Sequence, residues 1–365
     1  MNFAFSDEQE ELRRTIRRFL EDKSPSTEVR RLMETDQGYD EAVWKQMASE
    51  LGLQGLHIPE EYGGQGYTFV ELGIVLEEMG RALLPGPFLS SVCLAANAIL
   101  IAGTDDQKKS LLPEIASGER IATLALAEPT GRWDASGIEA TATEGSITGS
   151  KAFVVDGHIA RTLIVAARAG NDVGLFVVDA EADGVKREPV PSMDPTRKLA
   201  SIELTNAPAE RLGDRGWDAI EATLDTISVC LAAEMTGGAG RCLDMAVDYA
   251  KNRVQFGRPI GQFQAIKHKC ADMLLQVESA KTAAYYAMWA AAEGSDDLKT
   301  AAPIAKAACA DAYNHCASEN IQVHGGIGFT WEHDAQLYYK RAKSSELLFG
   351  DAVYHRDVLA DRLGI

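Results

Sequence analysis

The sequence predicts a mixed α+β protein with three domains: an N-terminal helical domain, a small middle β domain, and a C-terminal helical bundle. The first observation is a change of hydrophobic period, which is helical up to residue 120, strand-like over 121–213, and helical again over 214–365. The second is length, because 365 residues suffice for two or three domains with a large core. We therefore place the domains at 1–120, 121–213 and 214–365.

The N-terminal domain is predicted from helix signals that alternate with loop signals. Ser6 is placed as an N-cap, and a helical stripe follows at Leu12, Ile16, Phe19 and Leu20. A loop rich in helix breakers runs from Pro59 to Gly66. Further helices are expected at 40–51, 69–79 and 91–101.

The middle domain is predicted from short runs with high β propensity, separated by Gly, Asp, Asn and Pro. These runs lie at 121–126, 145–155, 162–167, 173–178 and 201–204. Their number and spacing favour a small barrel or sandwich.

The C-terminal bundle begins with an apolar stripe at helical spacing, formed by Ile220, Leu224, Ile227 and Leu231. Four Ala-rich or amphipathic helices should follow at about 262–293, 297–323, 335–348 and 352–363. Gly237, Gly238 and Gly240 lie inside a predicted helix rather than after a strand. They therefore indicate close packing between helices and not a dinucleotide-binding turn.

Composition narrows the possible partners. A formal charge of −18 argues against binding to nucleic acid and to anionic membranes. The six cysteines include no C-x-x-C pair, which is typical of reduced thiols in a cytoplasmic protein. The N-terminus does not resemble a signal peptide, and no apolar run reaches 18 residues. We identify no metal site.

A glycine-rich stretch at 322–329 has two possible interpretations. Gly325, Gly326 and Gly328 let the backbone turn with positive φ and approach a ligand, commonly a phosphate. The alternative is a tight helix-to-helix turn with a glycine C-cap. A second stretch, 253–264, favours the ligand because Arg253 can donate two parallel hydrogen bonds to phosphate oxygens.

Together these stretches resemble two motifs of the acyl-CoA dehydrogenase family of flavoproteins. That family carries Arg-x-x-Phe-Gly with a Gln further on, and later Gln-x-x-Gly-Gly-x-Gly-Phe. The matching residues are Arg253, Phe256, Gly257, Gln264, Gln322, Gly325, Gly326, Gly328 and Phe329. The resemblance covers essentially the whole chain. It implies the acyl-CoA dehydrogenase fold, an FAD cofactor and α,β-desaturation of an acyl-CoA thioester.

The resemblance also implies which residues contact the ADP half of FAD. We call them the ADP-half set: Arg253, Gln255, Phe256, Gln264, Gln322, Val323, Gly325 and Gly326. In the family, the Arg and the Gln-x-x-Gly-Gly motif reach across a subunit interface to the cofactor of the neighbour. The expected partner is therefore a homologous subunit in a homo- or heterotetramer.

The flavin half of the family's site departs from the pattern Thr-Glu-Pro-x-x-Gly-Ser-Asp and Lys-x-Trp-Ile-Thr. Four residues match, namely Glu128, Pro129, Asp134 and Lys151. The flavin-contacting hydroxyls are replaced by Ala127, Trp133 and Val155. A buried polar edge left unpaired costs about 1–3 kcal/mol, so we expect this half-site to be weakened or lost.

The family's catalytic carboxylate is also missing. Its position in one branch of the family is Phe349 here, and its position in the other branch is Ile227. Three nearby carboxylates are candidates for a substitute base or for structural roles: Glu234, Glu346 and Asp351. The catalytic residue is therefore unassigned from sequence.

The chain keeps the residues that serve the cofactor of a neighbour and lacks those that serve its own flavin and base. In this it resembles the non-catalytic subunit of heterotetrameric members, such as those of the steroid side-chain-degrading branch. The sequence thus predicts a subunit that completes the ADP-half site of a partner. One alternative is an active homotetramer with a displaced base. The other is a flavin-free structural or binding subunit.

Overall fold

The computed structural model describes residues 5–365, which form two compact units interleaved along the chain. The first unit contains the N-terminal segment through Arg30, Phe69–Leu84 and Ser228–Ile365. The second contains Arg31–Thr68 and Pro85–Ile227.

The first unit is helical. Its helices are α1 (Asp7–Lys23), α4 (Phe69–Ala82), the greater part of α7 (Trp217–Asn252), α8 (Gln264–Ala292), α9 (Leu298–His324), α10 (Ala335–Leu347) and α11 (Ala352–Leu363). A short helix, α2 (Ser26–Met33), begins in this unit. The predicted N-cap is confirmed, because the Ser6 hydroxyl accepts the backbone N–H of Gln9 in a capping box. Ile16 and Leu20 of the predicted stripe are buried.

Two of the three glycines predicted to allow close helix packing in α7 do so, Gly237 and Gly238, whereas a Cβ on Gly240 would meet no atom within 4 Å. A Cβ on Gly237 would lie 1.8 Å from the carbonyl oxygen of Glu77 in α4. A Cβ on Gly238 would lie 2.3 Å from the ring of Tyr313 in α9. Any side chain at either position would overlap its neighbour, so α7 approaches both helices only because these residues are glycine.

The second unit combines helices with one eight-stranded sheet. Its helices are α3 (Glu41–Ser49), a buried π-helix (Leu89–Ala96), α5 (Asn97–Ala102) and α6 (Asp105–Ala116). The strands are β1 (Ala122–Ala125), β2 (Thr141–Thr143), β3 (Ser146–Val155), β4 (Thr162–Ala169), β5 (Asp172–Asp179), β6 (Val185–Val190), β7 (Leu199–Pro208) and β8 (Glu210–Arg211).

The strand order in this sheet is β6-β7-β3-β2-β4-β5-β8, with β1 parallel to β4. Most neighbouring pairs are antiparallel, and the alternating inward residues form an apolar core around Ile147, Leu163, Val165 and Ile202. The structure adds β2, β6 and β8 to the predicted strands. β6 was missed because three of its six residues are charged and half are exposed, so the period-two signal is weak.

The six cysteines are free, and five of them are buried, in agreement with the predicted reduced thiols. None of the helices within residues 5–365 combines the length and the apolar composition that crossing a membrane requires.

Candidate cofactor and active-site residues

The first part of the ADP-half set lies on a tight hairpin that follows α7. Strands β9 (Val254–Gln255) and β10 (Arg258–Pro259) pair in antiparallel fashion, and the Ile260 N–H donates to the Arg253 carbonyl oxygen over 2.8 Å. The two residues at its tip, Phe256 and Gly257, have φ of +53° and +75°. Such a two-residue turn requires positive φ at both central positions, which favours glycine at the second.

The hairpin presents its side chains to solvent. Phe256 is 91% exposed, and Arg253, Gln255 and Gln264 are also exposed. Arg253 forms no ion pair with any residue in the described part of the chain. An exposed guanidinium without a carboxylate partner retains all its donors for an anion.

The second part of the set lies where α9 ends. Gly325 takes φ +62°, and its N–H donates back to Gln322 and Ile321, so it is the C-cap of α9. A Cβ on Gly325 or Gly326 would meet no atom within 4 Å. The C-cap interpretation is therefore correct for Gly325, but it does not explain Gly326, whose surroundings are open to a ligand's close approach.

The glycine at 328 and the valine at 323 have different roles. A Cβ on Gly328 would lie 2.8 Å from the Ile321 carbonyl oxygen, so this glycine is required by packing. The Val323 side chain is buried, with 4% of its surface exposed, whereas Gln322 beside it is exposed. Val323 can therefore contribute backbone groups to a ligand, and Gln322 can contribute its amide.

The structure brings the two parts of the set to the same end of the helical unit. The ring of Tyr249, four residues before Arg253, lies 4.2 Å from the ring of His324, which immediately precedes Gly325. A salt bridge of 2.5 Å between Lys269 and Glu319 joins α8 to α9 nearby. Sequence reasoning missed Tyr249 and His324, although their positions next to the two motifs were a usable signal.

Two of the four matching residues in the flavin-half region form a buried ion pair. Lys151 Nζ lies 2.7 Å from Glu128 Oε1 and also donates to the Leu126 carbonyl oxygen. The other Glu128 contacts are the backbone N–H groups of Glu139 and Ala140, each at 2.9 Å. Burial lowers the pKa of Lys151 to about 8, against the opposing effect of Glu128. The pair therefore holds β3 to the segments that contain Leu126, Glu128, Glu139 and Ala140.

The remaining flavin-half residues supply little polar chemistry. The Asp134 carboxylate caps a short 3-10 turn by accepting the Ser136 N–H over 2.9 Å. Ala127 and Val155 are each 2% exposed, and neither side chain carries a donor. Residues of this composition do not fit the polar edge of a flavin, whereas the ADP-half set fits a diphosphate.

The two family positions for a catalytic base are buried and apolar. Ile227 is fully buried, and Phe349 is 4% exposed with φ +58°. The turn at Phe349 is held by the buried Lys306, whose Nζ donates to the carbonyl oxygens of Glu346 and Gly350 over 3.0 and 2.9 Å. His355 Nε2 lies 3.1 Å from the Phe349 carbonyl oxygen. This turn is a fixed part of the core.

The three substitute carboxylates each have a structural contact. Asp351 caps α11 by accepting the Tyr354 N–H over 2.8 Å. Glu234 is buried and lies 2.8 Å from Arg341, and Glu346 lies 2.5 Å from Lys343. These contacts support the structural alternative for all three residues, and the identity of a base in this chain stays unassigned.

Comparisons with known proteins agree with this arrangement. Residues 6–119 match the acyl-CoA dehydrogenase N-terminal domain, and residues 214–364 match the C-terminal domain of the same family. The chain is 36% identical over 349 residues to acyl-CoA dehydrogenase IpdE2 of Mycolicibacterium smegmatis, covering 94% of this chain and 95% of that protein.

Two solved structures are similar along nearly the whole chain. The ChsE4-ChsE5 complex of Mycobacterium tuberculosis gives a TM-score of 0.92 at 27% identity, covering 100% of this chain and 99% of the other. A variant of the Tcur3481-Tcur3483 steroid ACAD gives 0.90 at 31% identity, covering 98% of both chains. The predicted fold, family and enzyme class are confirmed: this chain belongs to the acyl-CoA dehydrogenase family of FAD-dependent oxidoreductases.

Proposed function

We propose that this chain is a subunit of a heteromeric acyl-CoA dehydrogenase and completes the ADP end of the pocket for FAD held by a homologous partner. The observation that carries the proposal is an asymmetry. Every member of the ADP-half set except the buried Val323 is exposed, while the flavin-half region lacks its hydroxyls and both base positions are apolar.

The ADP-half set provides groups that suit a diphosphate. Arg253 supplies a guanidinium free of ion pairs in residues 5–365, and the glycine turn exposes backbone near Gly326. A hydrogen bond from a guanidinium to a phosphate is among the stronger polar contacts in proteins. Because Arg253 and Gly326 both point outward in the isolated chain, a cofactor carried by another subunit can reach them.

Because the base and the flavin-contacting hydroxyls are missing here, we infer that the reaction takes place on another subunit of the assembly. When bound, FAD would supply the hydride acceptor for the β-hydrogen of the acyl group, and the α-proton would need a carboxylate to remove it. Proton removal needs a base within about 3 Å of the reacting proton's carbon, or one water away. Phe349 and Ile227 have no atom that accepts a proton. In this proposal the partner supplies the base and the flavin-contacting hydroxyls.

The solved relatives support a heteromeric assembly and suggest a substrate class. One is a complex of two different chains, ChsE4 and ChsE5, and another is a steroid ACAD of two components. We therefore propose a CoA thioester on a steroid side chain as the substrate and a tetramer containing a homologous subunit as the assembly. The free, mostly buried thiols support a cytoplasmic location, because disulfides are rare in reducing compartments.

Purification with and without the partner tests the proposal. The chain alone should be colourless and inactive, and co-expression with a homologous flavin-binding subunit should give a yellow, active complex in which both chains are present. A yellow, active homo-oligomer would instead establish the displaced-base alternative. A chain that stays colourless in every partner complex would establish the flavin-free alternative. Flavin is measured by its absorbance between about 350 and 500 nm, and we expect about one flavin for each completed pocket.

A further inference from the structure

We propose a second ligand site in this chain, which takes a small organic monocarboxylate with a short apolar chain. It is a cavity of about 220 Å³ within the helical unit, and we call it the Arg241 cavity. Side chains from α1, α4, α7 and α10 and from the start of α2 line it. No member of the ADP-half set is among its lining residues, so the inference does not depend on the proposed function.

The cavity wall contains a positive charge that has no ion-pair partner in the described part of the chain. Arg241 is half-buried in the cavity wall and forms no ion pair within residues 5–365. The other arginines of the wall are already neutralised: Arg17 lies 2.8 Å from Glu78, and Arg81 lies 2.7 Å from Asp244. A half-buried guanidinium that has no carboxylate partner attracts an anion, since its hydrogen bond with Tyr338 offsets only part of its desolvation.

The Tyr338 hydroxyl, which forms a hydrogen bond with Arg241, cannot serve as that anion. Tyr338 donates its proton to the Arg81 carbonyl oxygen over 2.6 Å. Burial raises the pKa of Tyr338, and the neighbouring Arg241 only partly opposes this, so the phenol stays neutral. Tyr338 therefore brings no negative charge to the Arg241 guanidinium.

Ser24, another residue of the cavity lining, gives an independent indication of a ligand. The Ser24 hydroxyl is buried, with 6% of the residue exposed, and has no hydrogen-bond partner in the described part of the chain. Buried hydroxyls without a partner are rare and costly. The eight-residue helix α2 begins next to it at Ser26, which also lines the cavity, so the positive end of the helix dipole adds positive potential. A bound carboxylate would satisfy the cation and the hydroxyl together.

The other residues that line the cavity indicate which kind of anion fits it best. Leu20, Leu83 and Met245 are apolar and favour an alkyl chain beside the carboxylate. Glu21 is an exposed carboxylate at the same cavity and disfavours a ligand with two or more negative charges. Short-chain acids such as butanoate have an alkyl chain and a single negative charge, whereas inorganic phosphate has no alkyl chain and carries more charge.

The test is ligand binding by the full chain, purified in its own oligomeric state. Butanoate, butanamide and inorganic phosphate are titrated at constant ionic strength, by calorimetry and by thermal unfolding. We expect butanoate to bind saturably, with butanamide and phosphate weaker by about 10-fold or more. Equal effects of butanoate and phosphate, or no saturable butanoate binding, would overturn the proposal.

Three variants complete the design. Arg241→Gln should weaken butanoate binding by about 10-fold or more, while Arg14→Gln, on the exposed face of α1, should leave it unchanged. Ser24→Ala should weaken butanoate binding without lowering the melting temperature of the free protein, because the hydroxyl it removes is unpaired. Undiminished binding in Arg241→Gln contradicts the site. If that variant does not fold, undiminished binding in Ser24→Ala contradicts it equally.

Discussion

The ring of Tyr249 lies 4.2 Å from the ring of His324, with 32° between the planes, and this contact joins the end of α7 to the end of α9. The two helices carry the two halves of the ADP-half set, so the contact fixes their separation. The ring of His324 also lies 4.4 Å from the ring of His333. These three rings pack next to the turn at Gly325, since His324 immediately precedes that residue.

Tyr249 should affect FAD binding indirectly, through its ring contact with His324. Tyr249→Leu keeps an apolar side chain but removes the ring pair, which is worth about 0.5–1.5 kcal/mol. We expect the heteromeric complex to retain less FAD after dialysis. Tyr286→Leu is the matched control, because Tyr286 stacks on Trp289 within α8. Equal FAD retention in the two variants would contradict a role for Tyr249.

Arg253 should contribute directly to FAD affinity. Arg253→Ala removes a charge-assisted phosphate contact of about 1.5–3 kcal/mol, so FAD should bind on the order of 10-fold or more weakly to the assembled complex. Equilibrium titration with FAD measures this loss. The control is Arg14→Ala, which removes another exposed arginine that pairs with Glu11. An unchanged dissociation constant in Arg253→Ala would remove this residue from the set.

The buried pair of Glu128 and Lys151 should be structural. Lys151→Met leaves the Glu128 carboxylate buried without its cation, which typically costs about 3–5 kcal/mol. The double variant Glu128→Gln with Lys151→Met should be more stable than Lys151→Met alone, because it buries no isolated charge. Chemical denaturation of wild type, Lys151→Met, Glu128→Gln and the double variant measures the difference. A double variant less stable than both single variants would show that the pair is not coupled.

The buried His355 should make stability fall in mild acid. Burial, reinforced by the nearby Lys306, lowers the pKa of His355 from 6.5 to about 3. Between these values the unfolded chain binds a proton that the folded chain does not, so stability is complete above pH 6.5 and decreases as pH falls toward 3. The slope is about 1.4 kcal/mol per pH unit for one group. His355→Gln lacks this titration and can still donate to the Phe349 carbonyl oxygen.

The measurement is the difference in unfolding free energy between wild type and His355→Gln at pH 7 and pH 5. Relative to the variant, wild type should lose about 2 kcal/mol over this interval. Other groups that titrate, such as the buried His57, are present in both proteins and cancel. Parallel pH profiles for the two proteins would show that His355 is not the titrating group.

The long helices could be predicted from sequence because their signals are local. The expected helix at 297–323 is observed at Leu298–His324, between a Gly-Ser-Asp-Asp loop and a glycine C-cap. The ADP-half motifs could be found for the same reason, since each is a short contiguous stretch. Strand β6 could not, because its edge position leaves half of its residues exposed and it contains Pro189.

The contacts that hold the site could not be predicted from sequence. Lys306 is separated by 40 and 44 residues from Glu346 and Gly350, whose carbonyl oxygens it contacts. A lysine in an Ala-rich helix usually indicates a solvated face, and its burial depends on how α9 packs against α10 and α11. Likewise, the open space around Gly326 depends on neighbours that are distant in sequence.

The last prediction concerns the missing base. The chain alone, with excess FAD, should show no acyl-CoA dehydrogenation with an artificial electron acceptor, because Phe349 and Ile227 cannot accept a proton. Phe349→Glu alone should restore little, since Ala127 and Val155 also lack the hydroxyls that a flavin edge requires. Combining it with Ala127→Thr and Val155→Thr should increase flavin binding by the chain alone. Phe349→Gln in the same background is the control, because it fills the same volume without a base.

Turnover by the unmodified chain alone would contradict this expectation and identify a displaced base. Three single variants would then locate it: Asp351→Asn, Glu346→Gln and Glu234→Gln. The variant at the true base should lower kcat by about 100-fold or more while flavin content stays constant. Loss of a purely structural carboxylate should instead lower the melting temperature. For Glu234 that loss would be largest, because its partner Arg341 is itself buried and would be left without the carboxylate.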